Sequence, residues 1–102
     1  MPSIEMIQLA AHDLGDSYGV DNIFLFGSYA RGSNTPESDI DLRVDCGAIK
    51  TLLGLSALRL DFEDRLGLPV DLLATDSLDE NFLRQIKGEE IHLYARENNL
   101  TA

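Results

Sequence analysis

Gly27-Ser28 and Asp39-x-Asp41, separated by ten residues and set behind the apolar run Ile23-Phe24-Leu25-Phe26, constrain this chain more than any other feature. A strand points residues i and i+2 to the same face, so Asp39 and Asp41 share a face while Ile40 turns to the core. Two acids on one face can share a hard cation such as Mg2+, which takes oxygen ligands and leaves room for substrate phosphates. Gly27 ends the apolar run, where the missing side chain lets a phosphate approach the main chain. Ser28 adds a hydroxyl and an N–H.

Two similar patterns are excluded. Gly27 to Gly32 has the spacing of a Walker A loop, but Ser33 stands where that loop needs Lys. Asp39-x-Asp41 could open an EF-hand, but the fifth and sixth loop positions are Arg43 and Val44, and the sixth must be Gly.

Ser3 is a good N-cap, and Ile4, Ile7, Ala11, Leu14 and Tyr18 recur at helical spacing, predicting a helix that ends near Gly19. Asn22 to Phe26 reads as a buried strand. Ser28 to Arg31 starts a helix whose N–H groups and positive dipole end suit an anion. Gly32 to Ser38 is a loop leading to a second strand, Ile40 to Val44. Ile49, Leu52, Leu55, Leu58, Phe62 and Leu66 predict a helix closed by Gly67, with Pro69 blocking continuation. Pro69 to Ala74 predicts a third strand. Asp76 or Ser77 is expected to cap a last helix through Lys87, closed by Gly88. Ile91 to Ala95 fits an edge strand or another helical turn. Alternating helices and strands indicate α/β or α+β packing.

Asp71 stands among apolar neighbours in that third strand. A buried acid is costly unless paired or bound to metal. Its alternatives are a metal ligand or a salt bridge to Arg43 or Arg59. Arg31 can steady a triphosphate or stand as a solvated helix residue. Asp45 shares the Asp41 face at its far end and is a weak supporting candidate. His12 and His92 are too few for a histidine metal site and read as structural or surface residues. Cys46 reads as a small buried hydrophobe.

The chain has 102 residues, of which 44% are apolar. That suffices for one core without a second substrate domain. No run of about 18 apolar residues predicts a membrane span. The N-terminus shows no secretory pattern, and a lone cysteine forms no internal disulfide, so a cytoplasmic location is expected. Net charge is −10, with only eight Lys and Arg, scattered along the chain. Proteins that grip nucleic acid neutralise phosphates with a basic patch, so direct nucleic-acid binding is not expected.

Phe26-Gly27-Ser28-Tyr29-Ala30-Arg31-Gly32 and Ser38-Asp39-Ile40-Asp41-Leu42 resemble the signature of the nucleotidyltransferases that share the DNA polymerase β-type fold. Within that superfamily, the chain is similar to the minimal nucleotidyltransferases, including its C-terminal run Phe82 to Tyr94. The resemblance covers nearly the whole chain and implies a single domain, residues 1–102, with a small mixed sheet and helices packed on one side. It also implies that the Gly27 backbone and Ser28 hold the β- and γ-phosphates of ATP. Asp39 and Asp41 would bind two Mg2+ ions, and Asp71 matches the third acid. Such proteins resemble the antitoxin half of toxin–antitoxin modules. The partner implied is an all-helical HEPN-class ribonuclease, silenced by AMP transfer to a tyrosine within a hetero-oligomer. Two other readings stay open: an antitoxin that only masks its partner, and the catalytic subunit of a small-molecule nucleotidyltransferase.

Overall fold

A computed structural model describes residues 2–96. Helix α1 (Ile4–Tyr18) begins at Ser3, whose hydroxyl accepts from the Met6 N–H, and closes at Gly19 in the left-handed conformation. Strand β1 (Asn22–Phe26), the single-turn helix α2 (Gly27–Arg31) and strand β2 (Ile40–Asp45) follow. Helix α3 (Leu52–Leu66) leads into β3 (Val70–Ala74), a 3-10 turn over Thr75–Ser77, helix α4 (Glu80–Lys87) and β4 (Ile91–Ala95).

The four strands lie in the order β3-β2-β1-β4. β1 pairs antiparallel with β2 and β4, whereas β3 runs parallel to β2, with α3 as the crossover. Ile23, Leu25, Ile40, Leu42 and Val44 turn to one face and are fully buried with Ile7 and Ala11 of α1 and Leu58 and Phe62 of α3. The alternation of β1 and β2 therefore commits one face to the α1/α3 layer and presents Asp41, Arg43 and Asp45 on the other. On that second face, Phe82 of α4 meets Phe26 edge-on.

Two boundaries differ from expectation, and one open alternative is resolved. α3 starts at Leu52 rather than Ile49, because the Thr51 hydroxyl accepts from the Gly54 N–H and fixes the first turn there. α4 is capped by Asp79, which accepts from the Phe82 N–H at 2.8 Å, rather than by Asp76 or Ser77. Those two belong to the 3-10 turn, where Ser77 Oγ donates to the Ala74 carbonyl. Ile91–Ala95 is a strand, because β1 offers it an edge.

Candidate active site

The site forms where β1 ends beside the starts of β2 and β3. Phe26 pairs with Asp41, and Asp41 pairs with Asp71 across the parallel β2–β3 ladder. Gly27, the first residue after β1, lies against the Asp41 carboxylate. A Cβ added to it would overlap Asp41 Oδ2 and sit 3.0 Å from Cγ. Its φ of +76° is a conformation that glycine adopts freely. Both sterics and backbone therefore require glycine here.

The loop after α2 returns the chain to this point. Gly32 turns it with φ +77°, the Ser33 N–H bonds the Ser28 carbonyl at 3.0 Å, and Ser38 closes a turn on Thr35. Ser28 is half-buried on the one turn of α2, and Asp39 is exposed just ahead of β2. Tyr29 is buried and packs in the core.

Crowding of like charges defines the electrostatics. The Asp41 carboxyl is pushed up to about 6, chiefly by burial, then by Asp71 and Asp39, with Arg31 opposing. Asp41 and Asp71 are brought together. Asp39 acts on Asp41 at longer range, and among the described residues no three Asp, Glu, His or Cys side chains converge as a ready metal-binding group. The donor chemistry nonetheless fits a hard divalent cation, since only carboxylate oxygens are offered and their mutual repulsion is what a cation relieves.

Asp71 differs from expectation in burial. It is exposed, because β3 is an edge strand and its Asp71 face is uncovered. The salt bridges considered for it are made elsewhere. Arg43 takes the Glu90 carboxylate in a fork, Nε to Oε2 at 2.6 Å and Nη2 to Oε1 at 2.8 Å, and Arg59 pairs with Glu63 at 3.1 Å. Arg31 does not stand alone in solvent: its Nη1 lies 3.1 Å from Glu89 Oε1.

The other candidates lie outside the site. Asp45, at the far end of β2, accepts from Asn22 Nδ2. His12 packs edge-on against Tyr94, and His92 stacks on Phe24 and bonds Asn22, so both are structural. Cys46 is half-buried rather than buried, and burial pushes its thiol up, away from the reactive thiolate. It lines a cavity of about 770 Å³ between the β2–α3 loop and the start of the 3-10 turn. That cavity lies at the opposite end of the sheet from Gly27 and Asp41, so charge and chemistry rather than size locate the site.

Glu89 and the Arg43–Glu90 pair were not foreseen. Glu89 accepts from the Gly27 N–H at 3.3 Å across 62 residues of sequence. Its only sequence signal is that it lies two residues ahead of the last strand.

Comparison with known proteins agrees with this geometry. The family described as Polymerase beta, Nucleotidyltransferase matches residues 12–99. Protein adenylyltransferase MntA of Thermococcus cleftensis is 37% identical over 95 residues, covering 91% of this chain and 95% of that protein. A crystal structure of a toxin–antitoxin with AMP-PNP superposes with a TM-score of 0.76 at 22% identity, over 90% of this chain and 76% of that one. A structure of a tri-AMPylated HEPN toxin of Shewanella oneidensis in complex with its MNT antitoxin superposes with a TM-score of 0.71 at 19% identity, over 94% and 76%. The two superpositions establish the fold, a mixed four-stranded sheet with helices, and the sequence match extends over nearly all of it. The chain belongs to the polymerase β nucleotidyltransferase family.

Proposed function

We propose that this chain is a Mg2+-dependent protein adenylyltransferase that moves AMP from ATP to a tyrosine hydroxyl of a helical HEPN-class toxin, and so acts as its antitoxin in the cytoplasm. The observation that carries the reading is the Asp41–Asp71 pair, held in register beside Gly27-Ser28 and open on the side away from the α1/α3 layer. Full-length similarity to an adenylyltransferase supports the reaction type.

The Gly27 N–H, the Ser28 hydroxyl and Arg31 would bind the β- and γ-phosphates. Asp39, Asp41 and Asp71 would hold Mg2+, which neutralises the triphosphate and makes the acceptor hydroxyl more acidic. Gly27 serves by having no side chain, so that the triphosphate and the Asp41 carboxylate can approach one another. The tyrosine oxygen attacks the α-phosphorus as the bond to the bridging oxygen of the β-phosphate breaks, and pyrophosphate leaves. Asp71, exposed at the edge, would take the hydroxyl proton.

Asp39 and Asp71 are exposed, so the site is open to an acceptor presented by a partner. Orientation of one hydroxyl then sets the rate. The −10 charge disfavours free RNA or DNA as acceptor. The test is mass spectrometry of the partner encoded beside this chain after incubation with ATP and Mg2+, with free oligonucleotides in parallel. AMP additions mapping to tyrosine are expected. An unmodified partner alongside extended oligonucleotides overturns the reading, and an unmodified but inhibited partner reduces the chain to a masking antitoxin.

A further inference from the structure

We propose that Glu89 sets the affinity for nucleotide by occupying, in the free chain, the donors that the triphosphate must take. The inference rests on the nucleotide site described above. The antiparallel β1–β4 ladder pairs Leu25 with Ile91, and continuing that register sets Glu90 opposite Phe26 and Glu89 opposite Gly27. The backbone here is pinned on both sides, and on the α4 side the Glu89 N–H bonds the Ile86 carbonyl at 3.0 Å. β4 begins at Ile91, and the Glu90 side chain is 7% exposed and clamped by Arg43. Glu89 is thereby delivered to the turn. Its Oε1 accepts from the Gly27 N–H at 3.3 Å and from Arg31 Nη1 at 3.1 Å, and its Oε2 from Arg31 Nη1 at 3.2 Å.

A carboxylate and a terminal phosphate present the same chemistry, anionic oxygens for N–H and guanidinium donors. Glu89 and a triphosphate cannot hold the Gly27 N–H and Arg31 together. Beside a bound triphosphate, the displaced carboxylate is also a like charge at short range. The bond to Gly27 is long and the Glu89 side chain is 27% exposed, so it can leave by rotation without unpinning the backbone.

A residue that merely braces the turn weakens binding when removed, whereas a competitor strengthens it. Affinity for Mg2+–ATP and for inorganic tripolyphosphate is measured by calorimetry for the unaltered chain, Glu89→Gln, Glu89→Ala and Ser28→Ala, with thermal melts confirming folding. Glu89→Gln keeps the shape and an acceptor for Gly27, and decides the matter if Glu89→Ala does not fold. Both Glu89 variants are expected to bind about three- to tenfold tighter, a gain that shrinks as salt rises. Tripolyphosphate is expected to show the same gain, because the contest is over phosphate and not the base. If the unaltered chain binds ATP and loses it in Ser28→Ala, but the Glu89 variants bind equally or more weakly, the proposal fails and the nucleotide site stands. If neither the unaltered chain nor the Glu89 variants bind ATP, both fail together.

Discussion

Asp71 stands in register with Asp41 across the parallel β2–β3 pair, and after burial it is the main reason the Asp41 carboxyl titrates near 6. The fold thus places two acids where they repel, an arrangement that a cation would turn from a cost into a binding site.

Asp39→Asn and Asp41→Asn are each expected to keep the fold and abolish AMP transfer. The changes preserve shape and remove a ligand charge. Loss of a metal ligand should lower the rate at least about a thousandfold, roughly 4 kcal/mol of barrier. Label transfer with Mg2+, checked against circular dichroism, decides it. Near-normal transfer by either variant would remove that residue from the site.

The same Asp41 gives a pH dependence of stability without Mg2+. Its folded carboxyl is raised from 3.8 to about 6. Below pH 3.8 folded and unfolded chains both carry the proton. Between 3.8 and about 6 the unfolded chain releases it while the folded chain keeps it, so Asp41's contribution to stability falls across that window and is flat above it. Urea midpoints of the unaltered chain and Asp41→Asn should therefore diverge from pH 4 to pH 6, with Asp41→Asn the more stable at pH 7. Parallel curves would mean that Asp41 is not strained by its neighbours.

Gly27→Ala is expected to destabilise the chain by about 1–3 kcal/mol, through the positive φ and the overlap with Asp41. Chemical denaturation of Gly27→Ala, Asp41→Ala and the double variant separates the two causes. The double variant should recover the part due to overlap, because truncation removes Oδ2 and Cγ, the closest atoms. Strict additivity would leave only backbone strain.

Much of this was legible in the sequence for a physical reason. The Gly-Ser to Asp-x-Asp spacing encodes a hairpin-like return whose two ends must meet, and the periodicity of Ile7, Ala11, Leu58 and Phe62 shows which helix faces are buried. Asp71 was legible by position but not by exposure, since an apolar strand looks alike at the edge and in the centre of a sheet. The start of α4 was ambiguous because Asp76, Ser77 and Asp79 are all good caps within four residues. Glu89 was not legible at all. Its role depends on the β1–β4 register, a relation between residues 62 positions apart.

Arg43→Ala is expected to cost about 3–5 kcal/mol, because it strands the buried Glu90 carboxylate. Arg43 also lies 4.0 Å over the Phe24 ring and donates to Thr75, ties that knit β2 to its neighbours. Glu90→Gln should cost less, since the amide oxygen still accepts. Denaturant midpoints for the two variants test the order, and a larger loss in Glu90→Gln would reverse the assignment.

Asp71→Asn is expected to lower turnover far more than nucleotide affinity. Asp71 is exposed at the edge of the sheet, on the side where an acceptor would arrive, whereas the donors assigned to the triphosphate lie on the other flank of Asp41, at Gly27, Ser28 and Arg31. Removing the Asp71 charge also relieves Asp41, so the remaining carboxylate ionises more readily and nucleotide binding is buffered against the loss. On the proposed reading the acceptor hydroxyl would then lose the carboxylate assigned to its proton, and the chemical step would slow. Calorimetric ATP affinity within about threefold of the unaltered chain, beside a fall in transfer of at least about a hundredfold, is the expected pair of results. Parallel losses in both would place Asp71 with the nucleotide, and normal turnover would leave it without a part in the reaction.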